Sequence, residues 1–328
     1  MTEKISGRRM CVAAGALLCG VSVAGLAGAG PGSSWTKLAP VPAVFGGVEG
    51  LSVAQVGGNI IAALGLDRGV GDTATVRIYD IAGDSWSFGA NAPGRSSEGA
   101  GIAHGGLFYT LGGRSFGPRA DIWSYDPDSD TWNATLTSMS QPRAGLGVAV
   151  VGNAIYAIGG RVATGGPCSG GGLSSVERYD IDTDTWTNVA PLLSPRSDLA
   201  AATVGGKVYV FGGCDGFRNF TGAVDVYDPT TDSWSAAPAD MPTARAGMYA
   251  VAVKGNTVYV IGGWNGTPPG LSTNEAYSVA SNTWTTALPM PTPRGESGAV
   301  GHGGRIYVVG GSQPAFGAAV DANEAFKP

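Results

Sequence analysis

The chain has 328 residues, of which 55 are glycine and only 14% are charged. Glycine disfavours helix interiors by about 1 kcal/mol relative to alanine, so this composition excludes a helical domain and favours short strands joined by tight turns. The net charge of −5 argues against a nucleic-acid partner, because phosphate binding relies on clustered Lys and Arg.

The first 29 residues have the pattern of a secretory signal peptide. A basic segment ending at Arg9 is followed by an uncharged apolar stretch over residues 10–26, and Ala27 to Ala29 fit an A-x-A cleavage site. An uncleaved membrane anchor is the alternative, although a stretch so short and so rich in Gly and Ala spans a bilayer poorly. We expect an exported protein, periplasmic or extracellular, whose residues 30–328 form a single domain. Only an uncleaved leader would bring it to a membrane.

A unit of about 50 residues recurs along the rest of the chain. In the fourth full copy, the strand-like runs SDLAAATV, KVYVFGG and AVDVYDP are separated by a Gly-Gly turn and a variable loop, and a tryptophan opens a fourth strand. Four antiparallel strands in such a unit form one blade of a β-propeller. The recurring tryptophans are Trp35, Trp86, Trp132, Trp186, Trp234 and Trp284.

The runs IYVVGG and VYDPTTDSW resemble the Kelch repeat, and the resemblance covers residues 33–328 in six copies. It implies an all-β, six-bladed Kelch β-propeller with four antiparallel strands per blade. The last unit ends at its third strand, whereas residues 33–40 read as a fourth strand with no blade before it. We therefore predict that residues 33–40 complete the last blade, because closure removes an exposed sheet edge.

The variable loops share a face with the start of each innermost strand, and function usually lies in such loops. Five units have an arginine at that start, whereas Phe45 takes its place in the remaining unit. The arginines predict either a pocket for an anionic or hydroxyl-rich ligand, or bonds to carbonyl groups of the repeat itself. The candidate ligand-binding residues are Arg95, Glu98, Arg143, Arg196, Asp198, Arg245, Tyr249, Trp264, Arg294 and Glu296.

Two cysteines, Cys168 and Cys214, fall in the variable loops of consecutive units. In an exported protein such a pair predicts a disulfide bond, here one that clamps the two loops together. A free buried pair is the alternative.

We expect no catalytic residues, no metal and no cofactor. The two histidines, His104 and His302, occupy equivalent turns on the opposite face, and no Ser or Cys nucleophile accompanies them. The favoured interpretation is a monomeric extracytoplasmic binding module that presents its variable loops to a protein or glycan ligand. The alternative is a metal-independent enzyme similar to the Kelch mutarotases that process sialic acid. Its candidate residues are Arg196, Arg245 and Arg294 acting with Glu98 or Glu296.

Overall fold

The computed structural model describes residues 32–44, 46–163, 165–235, 239–253, 256–267, 270–313 and 318–328. The predicted leader at residues 1–29 and Phe45 lie outside these ranges. Within them the regular structure is all β, and no helix is long and apolar enough to cross a membrane.

Six four-stranded antiparallel sheets make up most of the described chain, and each corresponds to one repeat of the sequence. We number them 1 to 6 in chain order and name their strands a to d in the order of pairing. Strands a to d of sheets 1 to 3 are Ser52–Val56, Asn59–Ala63, Val76–Asp80 and Ser85–Gly89; Ala100–His104, Leu107–Leu111, Ile122–Asp126 and Thr131–Asn133; and Gly147–Val151, Ala154–Ile158, Val176–Asp180 and Thr185–Val189.

The remaining three sheets repeat the pattern. Strands a to d of sheets 4 to 6 are Ala200–Val204, Lys207–Phe211, Val224–Asp228 and Ser233–Ser235; Tyr249–Val253, Thr257–Ile261, Asn274–Ser278 and Thr283–Thr286; and Gly298–His302, Arg305–Val309, Asn323–Lys327 and Ser34–Lys37. Each strand a packs against strand a of the next sheet, and sheet 6 packs against sheet 1. The sheets therefore surround an axis in a closed cycle, which is the propeller arrangement.

The closing sheet joins the two ends of the described chain. Ser34–Lys37 pairs antiparallel with Asn323–Lys327, with Trp35 opposite Phe326. The centres of these two rings are 5.0 Å apart. The Nε1 of Trp35 also donates a 2.9 Å hydrogen bond to the carbonyl of Leu288, which follows strand d of sheet 5. Strand d of sheet 6 thus comes from the N-terminal side of the repeats, in the place predicted for it.

The tryptophan of strand d clamps each sheet to the preceding one. In sheet 2, Trp132 donates from Nε1 to the carbonyl of Ala90 at 2.9 Å, and Asp130 accepts from the amide of Ala90 at 2.6 Å. The same carboxylate accepts a 2.6 Å bond from the hydroxyl of Tyr125 on strand c. Asp130 has φ of 53°, which suits an aspartate better than most residues. Both Asp and Trp therefore recur because together they hold the connection between two sheets.

Two short sheets involve the variable loops, one of them together with Val48–Glu49, which precedes strand a of sheet 1. Val48–Glu49, Leu66–Asp67 and Gly71–Asp72 form one of them, and Ser312–Gln313 pairs with Ala318–Ala319 in the other. They order the loops between strands b and c, here called the b–c loops, on the face where the strands a begin. That face is called the loop face below.

Candidate functional site

A closed cycle of backbone hydrogen bonds surrounds the axis just before the strands a begin. Each sheet contributes one residue, whose amide donates to the carbonyl of its counterpart in the preceding sheet at 2.7–3.0 Å. All six have φ between 52° and 61°, the left-handed region. We call them the axial ring: Gly50, Glu98, Gly145, Asp198, Gly247 and Glu296.

Glycine and acid alternate around the axial ring. A Cβ on Gly145 would collide with the carboxylate of Asp198, and a Cβ on Gly50 would stand 3.4 Å from Cγ of Glu98. A Cβ on Gly247 would likewise stand 3.7 Å from Cγ of Glu296. Each acidic side chain therefore leans into the space that the preceding glycine leaves open. The result is a set of three carboxylates related by approximate threefold symmetry.

Arginines compensate two of these three carboxylates. The fully buried Arg161 bridges them, donating from Nη1 to Asp198 at 2.6 Å and from Nη2 to Glu98. Arg114 also donates from Nε to Glu98 at 2.7 Å. Asp198 further accepts from the amide of Cys168 at 2.8 Å, so its carboxylate is well satisfied. Both arginines directly follow a Gly-Gly pair, the position that overhangs the axial ring.

Glu296 has no such partner among the described residues. Its one recorded side-chain hydrogen bond is a 3.4 Å contact from the hydroxyl of Ser312. Burial, followed by the negative charges of Glu49, Glu98 and Asp198, raises the pKa of Glu296 well above its ordinary value. Burial likewise raises the pKa of Glu98, although Arg161 and Arg114 oppose the shift. The third carboxylate is therefore the under-compensated member of the axial ring.

Two cavities meet at the axial ring. The channel, of about 490 Å³, is lined mainly by the strands a, with Val53, Ile102 and Val148 on its walls and all six ring residues at one end. The bowl, of about 600 Å³, lies on the loop face and shares Glu98 and Glu296 with the channel. The b–c loops of all six sheets line the bowl, through Leu66, Arg68, Arg114, Pro167, Ser169, Arg218, Trp264, Thr267 and Ser312. We take the bowl as the candidate functional site.

Glu49 adds a fourth carboxylate at the wall of the bowl. Its side chain is only 5% exposed, and Oε1 accepts from Arg68 at 2.7 Å. Its Oε2 is buried with no hydrogen-bond partner in the described structure. A buried acceptor without a donor carries a desolvation cost that a bound donor would relieve. The bowl therefore offers unused hydrogen-bonding capacity beside Glu296.

The predicted pair Cys168 and Cys214 forms a disulfide bond, with Cα atoms 5.7 Å apart. It joins the b–c loops of sheets 3 and 4 and packs with Ala246, Phe220 and Trp264. These two sulfurs and Asp198 also lie within 4.8 Å of one another. Since the disulfide bond uses both sulfurs, we interpret this group as part of the loop clamp and not as a metal site.

Trp264 stands over the bowl next to this clamp. Its ring contacts Phe220 edge-on at 5.2 Å, and its Nε1 is buried without a hydrogen-bond acceptor in the described residues. That nitrogen lies 2.7 Å from the point where a Cβ on Gly247 would be. Like Arg161 and Arg114, Trp264 follows a Gly-Gly pair. It therefore lies next to Glu296 in the position where an arginine lies next to each of the other two carboxylates.

Four candidate arginines are buried inside their own sheets. Each forms an ion pair with an acid on strand c, and Arg245 also donates to the carbonyls of Thr243 and Val260 at 2.8 and 3.0 Å. The pairs are Arg143 with Glu177, Arg196 with Asp225, Arg245 with Glu275, and Arg294 with Glu324. Since these guanidinium groups point into the sheets and away from the bowl, we do not include them in the proposed binding surface.

The two remaining sheets lack the acid on strand c, and neither of them contains such a buried ion pair in the described structure. In sheet 2 the acid is replaced by Trp123, and its arginine, Arg95, is exposed, with a single 3.4 Å contact to the carbonyl of Asp72. In sheet 1 the strand c position is Arg77, which donates to the carbonyl of Pro42 at 2.7 Å. The arginine at the start of strand a is therefore buried where strand c supplies an acid, as expected for a buried charge.

Tyr249 lies on the channel side of the axial ring. Its hydroxyl donates a 3.3 Å hydrogen bond to the carbonyl of Leu51 in the d–a connection before sheet 1. Burial, together with Glu296, raises the pKa of Tyr249 to about 12. The tyrosine is therefore neutral at physiological pH and helps to order the channel.

The acid–base set proposed for a sugar-acting enzyme is not assembled in the described structure. Glu98 and Glu296 do lie together, but Arg196, Arg245 and Arg294 are held in separate sheets by their own acids. The arginines that do reach the carboxylates are Arg161 and Arg114. The sequence predicts neither of them, because only their position after Gly-Gly distinguishes them from other loop residues.

The cycle of sheets and the bowl on one face define a β-propeller with a loop-lined cavity. The family model described as the KLHDC2/KLHL20/DRC7 Kelch-repeats domain matches residues 162–311, and the Kelch motif matches residues 97–134. The chain carries Kelch repeats, and its fold is that of a Kelch propeller.

Among curated proteins, the chain is similar to Kelch-like protein 36 of Bos taurus, with 31% identity over 204 residues that cover 58% of this chain and 32% of that protein. It is 32% identical to Kelch-like protein 25 of Xenopus tropicalis over 227 residues, covering 68% and 38% respectively. It is also 32% identical to Kelch-like protein terF of Aspergillus terreus over 207 residues, covering 60% and 44%. The chain thus spans less than half the length of these relatives.

A double-mutant cycle tests the structural role of the buried arginines. Arg245→Met and Glu275→Leu should each lower the free energy of unfolding by about 3–5 kcal/mol, because each leaves a buried charge unpaired. The double variant should lose clearly less than the sum of the two. Arg95→Met, at the exposed counterpart, should stay within about 0.5 kcal/mol of the parent. The measurement is urea-induced unfolding. Single variants as stable as Arg95→Met would show that Arg245 is free for another role.

Proposed function

We propose that the protein is an exported interaction module that binds a segment of a partner protein in the bowl. Kelch domains generally mediate protein interactions, and the matched relatives are Kelch-like proteins. The observation that carries the proposal is the bowl itself, a concavity of about 600 Å³ lined by the b–c loops of all six sheets. Its size lies within the range typical of ligand-binding clefts.

Exposed apolar side chains around the loop face support a protein ligand over a glycan. Phe217 is 78% exposed and Phe116 fully exposed, and both stand on b–c loops. Val70 and Val162, on two further b–c loops, are about half exposed. Exposed aromatic groups next to polar ones are typical of protein-binding sites. The disulfide bond fixes the loops that carry Phe217 and Pro167, so less loop entropy is lost on binding.

Export is supported by two independent features. Residues 1–29 have the pattern of a signal peptide, and a loop-clamping disulfide bond is typical of proteins in an oxidising compartment. We therefore propose a periplasmic or extracellular location.

N-terminal sequencing of the protein recovered from a native host tests the location. Cleavage after Ala29 should give a mature N-terminus at Gly30, and non-reduced digests should contain the Cys168–Cys214 link. An intact Met1 in protein from the cytosolic fraction, together with free thiols at both cysteines, would contradict export.

Selection of peptides from a displayed random library tests the binding face. Peptides enriched on the parent protein should lose about tenfold in affinity for Phe217→Ser, because interface aromatics are frequent hot spots. The matched control is Phe88→Ser, which removes a phenylalanine that is 63% exposed on strand d of sheet 1, away from the bowl. Binding is measured by fluorescence anisotropy of labelled peptides. If no peptide is enriched, or if the enriched peptides respond to Phe88→Ser and ignore Phe217→Ser, the bowl is not the binding site.

A further inference from the structure

We infer that the bowl selects a guanidinium group, namely an arginine side chain of the bound protein segment, which would pair with Glu296 and Glu49 beside the ring of Trp264. This inference rests on the proposed function, because it names the partner chemistry of the same site.

The approximate symmetry of the axial ring supplies the first argument. Glu98, Asp198 and Glu296 occupy equivalent positions, and Arg161 shows how a guanidinium fits there by spanning two carboxylates with its two terminal nitrogens. Glu296 has no ion pair among the described residues, and its one side-chain hydrogen bond there is the 3.4 Å contact from the hydroxyl of Ser312. The third carboxylate therefore occupies the equivalent position of the axial ring without an arginine in ion-pair contact.

Unused hydrogen-bonding groups supply the second argument. The Glu49 side chain is 95% buried, and its Oε2 has no donor in the described structure. Glu49 lines the bowl together with Glu296, and its charge acts on Glu296 more strongly than any other neighbouring charge. A planar guanidinium carries several N–H donors in a fixed fork and can serve two carboxylates at once, which a compact ammonium does less well.

The place of Trp264 supplies the third argument. It follows Gly-Gly in sheet 5 and stands where Arg161 stands in sheet 3, with its indole beside Glu296. An aromatic face next to carboxylates favours a stacked guanidinium, because the cation interacts with the ring quadrupole and with the acids together. Of the cations that line the bowl, Arg68 and Arg114 are engaged by Glu49 Oε1 and by Glu98, and the exposed Arg218 forms no ion pair with either acid in the described structure.

Titration of single tryptophan signals tests the inference directly. The probe is the pentapeptide acetyl-Gly-Gly-Arg-Gly-Gly-amide, added to the full protein labelled with ¹⁵N in its indole groups. The Trp264 resonance, assigned with Trp264→Phe, should shift saturably. The same peptide with citrulline, which keeps the shape and removes the charge, should bind about tenfold more weakly or not at all. Equal binding of the arginine and citrulline peptides, or an unmoved Trp264 signal, would overturn the inference.

Two variants locate the binding group. Glu296→Gln should weaken arginine-peptide binding about tenfold, whereas Asp182→Asn, an exposed turn acid on the opposite face, should leave it unchanged. We expect Glu296→Gln to remain folded, and urea-induced unfolding of this variant checks that a loss of binding is not a loss of structure. The pKa of Glu296 is raised in the folded state, so ionising it as the pH rises lowers stability, and glutamine removes that loss. Unchanged binding by Glu296→Gln would contradict the assignment.

The pH dependence provides a further readout. Glu296 is faced by Glu49, Glu98 and Asp198, and by Arg161 with the opposite charge. Because a cation prefers the ionised carboxylate, arginine-peptide binding should tighten as the pH rises from about 5 to 8, and Glu296→Gln should flatten this dependence. Binding that is flat with pH in the parent protein would contradict a role for Glu296.

Methylguanidinium separates a protein segment from a small free ligand. If the pentapeptide binds more tightly than methylguanidinium, the backbone contributes and the segment assignment is supported; equal affinities would overturn it. The two proposals also fail separately. Library peptides whose binding requires Phe217 and is unchanged by Glu296→Gln would support the loop face as the binding surface and contradict the guanidinium site. Library peptides that bind elsewhere would contradict the loop face as the binding surface.

Discussion

The closed cycle of hydrogen bonds in the axial ring constrains the rest of this molecule. It requires one residue per sheet at positive φ and brings all six to the axis, where space is short. Glycine meets both demands, but acids occupy alternate positions, and the carboxylate of Asp198 takes the space that a Cβ on Gly145 would fill. Three carboxylates therefore converge in a largely buried site. Arg161 follows as a structural necessity, because such a group of like charges is costly without a cation.

The sequence predicts the architecture well and the site only in part. Tryptophan spacing and the complementary chain ends predict the sheets and the place of residues 33–40, because each repeat must bury the same aromatic wedge. The sequence does not show which way an arginine at the start of strand a points, since that depends on the residue two strands away. Trp123 and Arg77 replace the acid at this strand c position, and these two exceptions are the sign in the sequence that the arginine and the acid belong together. The role of Arg161 depends on three sheets meeting at the axis, which no local pattern reveals.

The difference between buried charges with an ion-pair partner and Glu296, which has none in the described structure, connects the structure to the proposed function. Inside the sheets four buried arginines have an acid on strand c, and two of the ring carboxylates have arginines. Most buried charges of the described structure thus follow local rules of charge pairing, and departures from these rules are expected at functional sites. The departure here is Glu296, and it falls where the channel meets the bowl, beside a tryptophan that the repeat does not require. The ring of six residues thus carries the closed cycle of hydrogen bonds and also the proposed binding group.

Amide hydrogen exchange at the axial ring tests this account most directly. If the ring closes cooperatively, the amides of Gly50, Gly145 and Gly247 should be protected to a similar degree and should exchange with the slowest strand amides. Trp35→Ala loosens the closing strand in sheet 6, and it should lower protection at all three glycines, including Gly145 on the far side of the axis, whereas Thr36→Ala, an exposed residue of the same strand, should not. Loss of protection confined to Gly50, with Gly145 unchanged, would contradict a closed ring.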